Sequence, residues 1–181
     1  MMTAEEFMRL DDEDGWYGYE LVRGMPTQVC EPQGPAYYHG SCQARITTLL
    51  GIFLNEHPIA SIATHAYITL ARNPDTVRAP DISVVRNDRY PRDYVDSPIF
   101  EVAPDLAIEI RSPTERAGIL RSKIRDYLDA GTTVVWVVEQ RKRTVTIHTA
   151  GAPPRVVQGA ERLTGDQVLP GFSCTLDEVF R

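Results

Sequence analysis

Two short runs of this chain, Ala79-Pro-Asp-Ile-Ser-Val-Val85 and Asp105-Leu-Ala-Ile-Glu-Ile-Arg111, read as core strands, and each holds a carboxylate inside. Strand alternation puts Ile82 and Val84 on one face and Asp81 and Ser83 on the other. In the second run it separates Leu106, Ile108 and Ile110 from Ala107, Glu109 and Arg111. A carboxylate buried without a partner costs several kcal/mol or takes up a proton. Any fold of this sequence must therefore bring positive charge to both acids. Two sources are open: a basic side chain, with Arg111 on the same face as Glu109, or a divalent metal.

The surrounding signals predict a mixed α/β domain. Thr3 with Glu6 three residues on forms a capping box for a short helix. Gly18–Gly24 and Pro26–Cys30 read as two strands around a turn. Pro35 to His57 is the longest helical candidate, with Ala44, Leu49, Ile52 and Phe53 at helical spacing and Pro58 ending it. Ser61 to Leu70 and Arg78 to Val85 read as two strands joined at Asn73-Pro-Asp-Thr. A loop follows from Asn87 to Pro98. After the Asp105–Arg111 strand, Pro113 suits the first turn of a helix that runs to Ala130 and stops at Gly131. Thr133-Val-Val-Trp-Val-Val138 has the continuous apolar character of a strand buried on both faces. Strand, helix and strand in that order imply one right-handed crossover between parallel strands. Short strands and a final helical turn at Thr175–Phe180 complete the chain.

Length and composition narrow the class. At 181 residues a single domain with an unstapled core is feasible. No run approaches the roughly 20 apolar residues of a membrane span, and the acidic N-terminus lacks the character of a signal peptide. Cys30, Cys42 and Cys174 are odd in number and widely spaced, which fits a reduced, cytoplasmic protein. The net charge of −6 argues against nucleic-acid binding over the whole surface. Between Arg111 and Arg125, however, five bases face Glu115 alone. One basic face could meet a polyanion, and solvated helix charges would read the same way.

The crossover helix contributes the third group. At about 100° per residue, Ala117, Leu120, Ile124, Tyr127 and Leu128 form an apolar stripe bordered by Lys123. Arg121 and Arg125 point away from it. An edge lysine can snorkel to solvent or reach the carboxylates of the adjoining strands. Asp, Glu and Lys together are the working group of metal-dependent phosphodiester hydrolysis. Hard oxygen ligands suit Mg²⁺ or Mn²⁺, and a lysine can orient the nucleophile or stabilise developing charge. No phosphate loop, dinucleotide fingerprint or GxSxG elbow is present. His39, His57, His65 and His148 form no HxxxH pair.

Taken with Tyr19-Glu20-Leu, Pro35, His39, Pro80-Asp81, Ile108-Glu109-Ile, Ser112-Pro113, Lys123, Tyr127, Ala130-Gly131 and Val135-Trp136-Val-Val138, the chain resembles the Uma-two family of restriction-endonuclease-like proteins. That family belongs to the PD-(D/E)XK nuclease superfamily, and the resemblance runs from Thr3 to Phe180. It implies a restriction-endonuclease-like core, a mixed sheet flanked by helices, with residues 1–181 as a single domain. It implies Asp81 and Glu109 as metal-binding acids. The superfamily pattern puts lysine two positions after the glutamate, where this chain has Arg111. Lys123 on the following helix takes that role in this reading. Glu20, His39 and Arg111 are supporting candidates, and Arg116, Arg121 and Arg125 are candidates for nucleic-acid contact.

The leading expectation is a Mg²⁺- or Mn²⁺-dependent DNA endonuclease, with a homodimer to cut both strands of a duplex. The alternatives are a catalytically weak nuclease-fold module that binds or regulates, associated with mobile elements, and an unrelated α/β domain whose acids are salt-bridged to Arg111 and Lys123. Asp81→Ala is expected to abolish metal binding while leaving the fold intact or more stable.

Overall fold

The local signals near the N-terminus form as expected. The computed structural model describes residues 1–10, 18–29, 37–89, 100–112 and 115–181. Cys30, Pro35, the loop residues 90–98 and Pro113 lie outside these. Helix α1 (Ala4–Phe7) carries both halves of its capping box: the Glu6 N–H donates to Thr3 Oγ1 and the Thr3 N–H to Glu6 Oε2. Strands β1 (Tyr19–Val22) and β2 (Met25–Gln28) pair antiparallel through Arg23-Gly24, both at positive φ. A Cβ on Gly24 would also sit 2.8 Å from that of Met1, so glycine is required twice over.

Helix α2 (Tyr37–Glu56) ends ahead of Pro58, but its buried face differs from the stripe expected. Cys42, Ile46, Leu50 and Leu54, four residues apart, enter the core. Ile52 is 58% exposed and Ala44 is exposed too, while Leu49 and Phe53 flank the core. Each buried large side chain contributes about 1.5–3 kcal/mol, so the strict i, i+4 set sets the helix's rotation.

Two expected strands are each broken in two. The 61–70 run divides into β3 (Ala60–Ala63) and β4 (Ile68–Ala71), with His65 at φ 51 between them. The 78–85 run divides into β5 (Thr76–Arg78) and β6 (Ile82–Arg86) around Ala79-Pro80-Asp81. Both breaks mark a change of sheet. Pro80 lacks the N–H that a continuous ladder would need.

One sheet has the order β2-β1-β5-β4. The larger one is completed by β7 (Leu106–Ile110), β8 (Val134–Glu139), β9 (Thr144–His148) and β10 (Arg155–Val157), in the order β10-β9-β8-β7-β6-β3. Strands β7 and β8 are parallel and are joined by α3 (Ala117–Asp129), which ends at Ala130 with Gly131 at φ 96. The remaining ladders of this sheet are antiparallel, so the fold is mixed α/β. A two-stranded sheet of β11 (Arg162–Thr164) and β12 (Ser173–Thr175) precedes α4 (Leu176–Val179), itself opened by a capping box of Thr175 and Glu178.

The expected alternation holds on the central strands. Ile82, Val84, Leu106, Ile108 and Ile110 join α2 in the main core. Ala107 and Val135 face the other way, against Tyr127, Ile124 and Leu128 of α3. Ile82 pairs with Ile108 and Ser83 with Ala107. Continued by one residue, that register sets Asp81 opposite Glu109 on the α3 side of the sheet, where opposed side chains share a face.

Candidate active site

The β6–β7 end of the large sheet brings both predicted acids and the predicted lysine into one buried cluster. Lys123 Nζ donates to Glu109 Oε2 at 2.8 Å and lies 3.4 Å from Glu20 Oε1. The Tyr127 hydroxyl, one turn along the same helix face, donates to Glu109 Oε1 at 2.7 Å. Lys123 is only 7% exposed, so it is not the bordering lysine that its helix position predicts. The apolar stripe docks α3 closely enough to enclose it, and the acids beneath keep its charge. Ala117, expected in that stripe, is exposed at the helix start.

Asp81 is held from the other side. The Ile110 N–H donates to Asp81 Oδ2 at 2.6 Å, and His39 Nε2 from the first turn of α2 lies 3.2 Å from the same oxygen. The Gln43 amide donates to the Asp81 carbonyl at 2.8 Å and meets His65 Nε2 at 2.9 Å. His65 Nδ1 stands 4.0 Å from Asp81 Oδ1. His39 Nδ1 is buried and finds no partner among the described residues.

A second group of charges backs the first. Arg78 on β5 is 1% exposed and donates to Glu20 Oε2 at 2.7 Å, to Ser122 Oγ at 3.0 Å and, through Nε, to Asp126 Oδ2 at 3.0 Å. Glu20 Oε1 also accepts from the Ala79 N–H at 3.2 Å. Four carboxylates, Glu20, Asp81, Glu109 and Asp126, thus share the cations Arg78 and Lys123 with the His39 ring, and the acids outnumber the cations.

The ionisation of the site follows from that excess. Burial, reinforced by the charges of Asp81 and Glu20, pushes the Glu109 carboxyl up to about 7 despite Lys123. Burial also opposes ionisation of Asp81, but the hydrogen bond and charge of His39, with Lys123, outweigh it and hold Asp81 below its ordinary value. Desolvation disfavours the Lys123 ammonium, yet Glu109, Glu20 and Asp81 together hold it protonated. Burial and then the Glu109 charge raise Tyr127 well above the usual phenol range, so it remains a donor. His39 is raised, because Asp81 more than offsets its burial.

The other predicted residues sort clearly. Glu20 and His39 belong to the cluster. Arg111 does not pair with Glu109: its Nη1 lies 3.1 Å from Glu139 Oε1. Of the two cations in the purely structural alternative, Lys123 pairs with Glu109 and Arg111 does not. Arg116 stands at the N-cap position of α3 without a side-chain cap bond, and Arg121 and Arg125 are exposed on the helix. Sequence reasoning missed Arg78, Asp126, Gln43, the hydroxyl of Tyr127, and Glu115, whose carboxyl is raised by burial and by the charges of Asp81 and Glu20. Two signals were available: Lys123 and Tyr127 are spaced i, i+4, and Arg78 ends a strand three residues before Asp81.

Comparison with known proteins follows from this geometry. A family model described as "Uma2: Putative restriction endonuclease" matches residues 4–177. No curated protein matches the chain. Among solved structures, a putative nuclease belonging to DUF820 from Anabaena variabilis ATCC 29413 is similar with a TM-score of 0.85. The two are 22% identical over 99% of this chain and 98% of that one, a likeness of fold.

Proposed function

The chain belongs to the Uma2 family of restriction-endonuclease-like proteins, and from that premise we propose that it is a metal-dependent endonuclease that hydrolyses DNA phosphodiester bonds. The observation that carries this reading is the uncompensated charge of the buried acids. A dication would offset this excess of negative charge, whereas without one the Glu109 carboxyl rises to about 7. Asp81 and Glu109 offer hard carboxylate oxygens, and His65 Nδ1 stands 4.0 Å from Asp81 Oδ1. The donors fit Mg²⁺ or Mn²⁺, which need only one or two protein carboxylates and keep several waters. When bound, such an ion supplies a more acidic water and neutralises charge on the phosphate.

The chain's own groups do the rest. The Ile110 N–H and His39 orient Asp81, and Tyr127 and Lys123 orient Glu109. Lys123, kept cationic by three carboxylates, presents donors to charge that develops at the phosphate. Arg116, Arg121 and Arg125 contact DNA phosphates from the exposed side of α3, adding affinity that falls with salt. The reading takes residues 1–181 as a single cytoplasmic domain that acts as a homodimer on duplex DNA.

Cleavage of supercoiled plasmid in Mg²⁺ or Mn²⁺, with a chelator control, tests this. Wild type should nick or linearise the plasmid only with metal. Lys123→Ala should bind DNA and metal nearly as wild type and cut about a hundredfold more slowly, the usual effect of removing one such donor. Equal rates would remove Lys123 from the chemistry. Metal binding and DNA binding without cleavage would favour a nuclease-fold binding or regulatory module.

A further inference from the structure

Arg78 is nearly inaccessible, so it cannot meet a substrate, yet it contacts both elements that aim Lys123. Its Nη1 donates to Glu20 Oε2 at 2.7 Å, and Glu20 Oε1 in turn lies 3.4 Å from Lys123 Nζ. Its Nη2 and Nε bind Ser122 Oγ and Asp126 Oδ2, the α3 residues that flank Lys123 in the same two turns. The guanidinium fork thus fastens α3 to β5 of the smaller sheet and places Glu20 under the lysine at once. A planar group with five donors in fixed directions can hold three partners in one geometry, which an ammonium on a flexible stem cannot.

We infer that Arg78 is a positioning residue for the cleavage step. Acting through Glu20, Ser122 and Asp126, it holds the Lys123 ammonium against Glu109, towards the site of phosphate attack. This rests on the nuclease reading above, and it assigns the smaller sheet a part in the chemistry: β5 is the anvil against which the catalytic helix is set. Leu120, Ile124 and Tyr127 dock α3 on the large sheet, where Tyr127 and Lys123 also donate to Glu109. The charged fork resists movement of the helix, because any displacement strips buried hydrogen bonds from charged groups.

The test uses the full chain with Ser122→Ala/Asp126→Ala, which removes both α3 acceptors of Arg78 and leaves Glu20, Asp81, Glu109 and Lys123 unchanged. Displacing a reacting group by about 1 Å lowers rates by about a hundredfold. The variant should therefore cleave plasmid about tenfold to a hundredfold more slowly, with kcat falling while KM and calorimetric Mg²⁺ affinity stay within about threefold. A structural role alone would not move a second readout. The chain has two lysines, Lys123 and the exposed Lys142. In ¹⁵N-lysine-labelled protein, Lys123 should give the slowly exchanging ammonium crosspeak, shifted or lost in the variant.

Arg78→Gln should show both effects more strongly, and if it does not fold the tether variant decides. An unchanged crosspeak, or a kcat within about twofold of wild type, would overturn the inference. So would losses of rate and Mg²⁺ affinity in equal proportion. If Lys123→Ala cuts as fast as wild type, it is the nuclease role of Lys123 that fails. If Lys123→Ala is slow and the tether variant is fast, only the role of Arg78 fails. The crosspeak reads the positioning whether or not a given plasmid is cut.

Discussion

Replacing Glu109 with glutamine should stabilise the metal-free protein in a way that grows with pH over a defined window. The wild-type carboxyl is pushed from an ordinary 4.5 up to about 7 by burial and by the charges of Asp81 and Glu20. Below pH 4.5 it is protonated in both the folded and the unfolded chain, and it contributes no difference. Between 4.5 and 7 the unfolded chain releases the proton while the folded one keeps it. The folded state then binds more protons, so stability falls as pH rises, by 1.36 kcal/mol per unit. The window spans roughly 2.5 units, or about 3 kcal/mol, after which both forms are ionised and the slope vanishes.

Glu109→Gln keeps the shape and removes this dependence. The stability gap between variant and wild type should therefore widen by about 3 kcal/mol from pH 4.5 to pH 7 and stay constant above. For a chain of this length that is about 6–12 °C in melting temperature. Urea or thermal denaturation with a chelator, at four or five pH values, measures it. Mg²⁺ at 100 times its Kd should restore about 2.7 kcal/mol to wild type at pH 8 and much less to the variant. A gap that does not change with pH would refute the charge excess itself.

Asp81→Ala should abolish Mg²⁺ binding by calorimetry. Contrary to the expectation from sequence, it should also cost about 1–3 kcal/mol in urea unfolding, because the Ile110 N–H and the His39 ring lose their acceptor. Arg121→Ala/Arg125→Ala should weaken DNA binding and reduce the slope of log affinity against log salt by about one per lost phosphate contact, with Mg²⁺ affinity unchanged in the same preparation. Thr175→Ala removes the cap that accepts from the Glu178 N–H. It should lower stability by about 1 kcal/mol, a loss of about 2–4 °C, with no effect on cleavage rate.

Much of the candidate site was legible in the chain because strand alternation is a local property. Asp81 and Glu109 were found as charges on the wrong side of apolar strands, and the register of β6 on β7 keeps them on one face. The capping box of Thr3 and Glu6 and the terminating glycine at Gly131 were likewise visible, each depending on residues a few positions apart. Lys123 was found on the right side of its helix but at the wrong depth. Helical periodicity gives an angle around an axis, and the distance between that axis and the sheet depends on side chains from both.

The sequence by itself determined which residues form the central strand–helix–strand unit, and that Asp81 and Glu109 stand on the strand faces opposite the apolar rows. Tertiary structure alone decided how those charges are shared. Arg111, the nearest cation along the strand, turns to Glu139, while Arg78 reaches Glu20 across 58 positions of sequence and Asp126 across 48. It also decided that β3 and β4, or β5 and β6, part at a corner and join different sheets. A period of two or of 3.6 describes how a segment presents its own side chains. Which partner stands opposite is set by where the chain returns, and for buried charges the free energy lies in that partner.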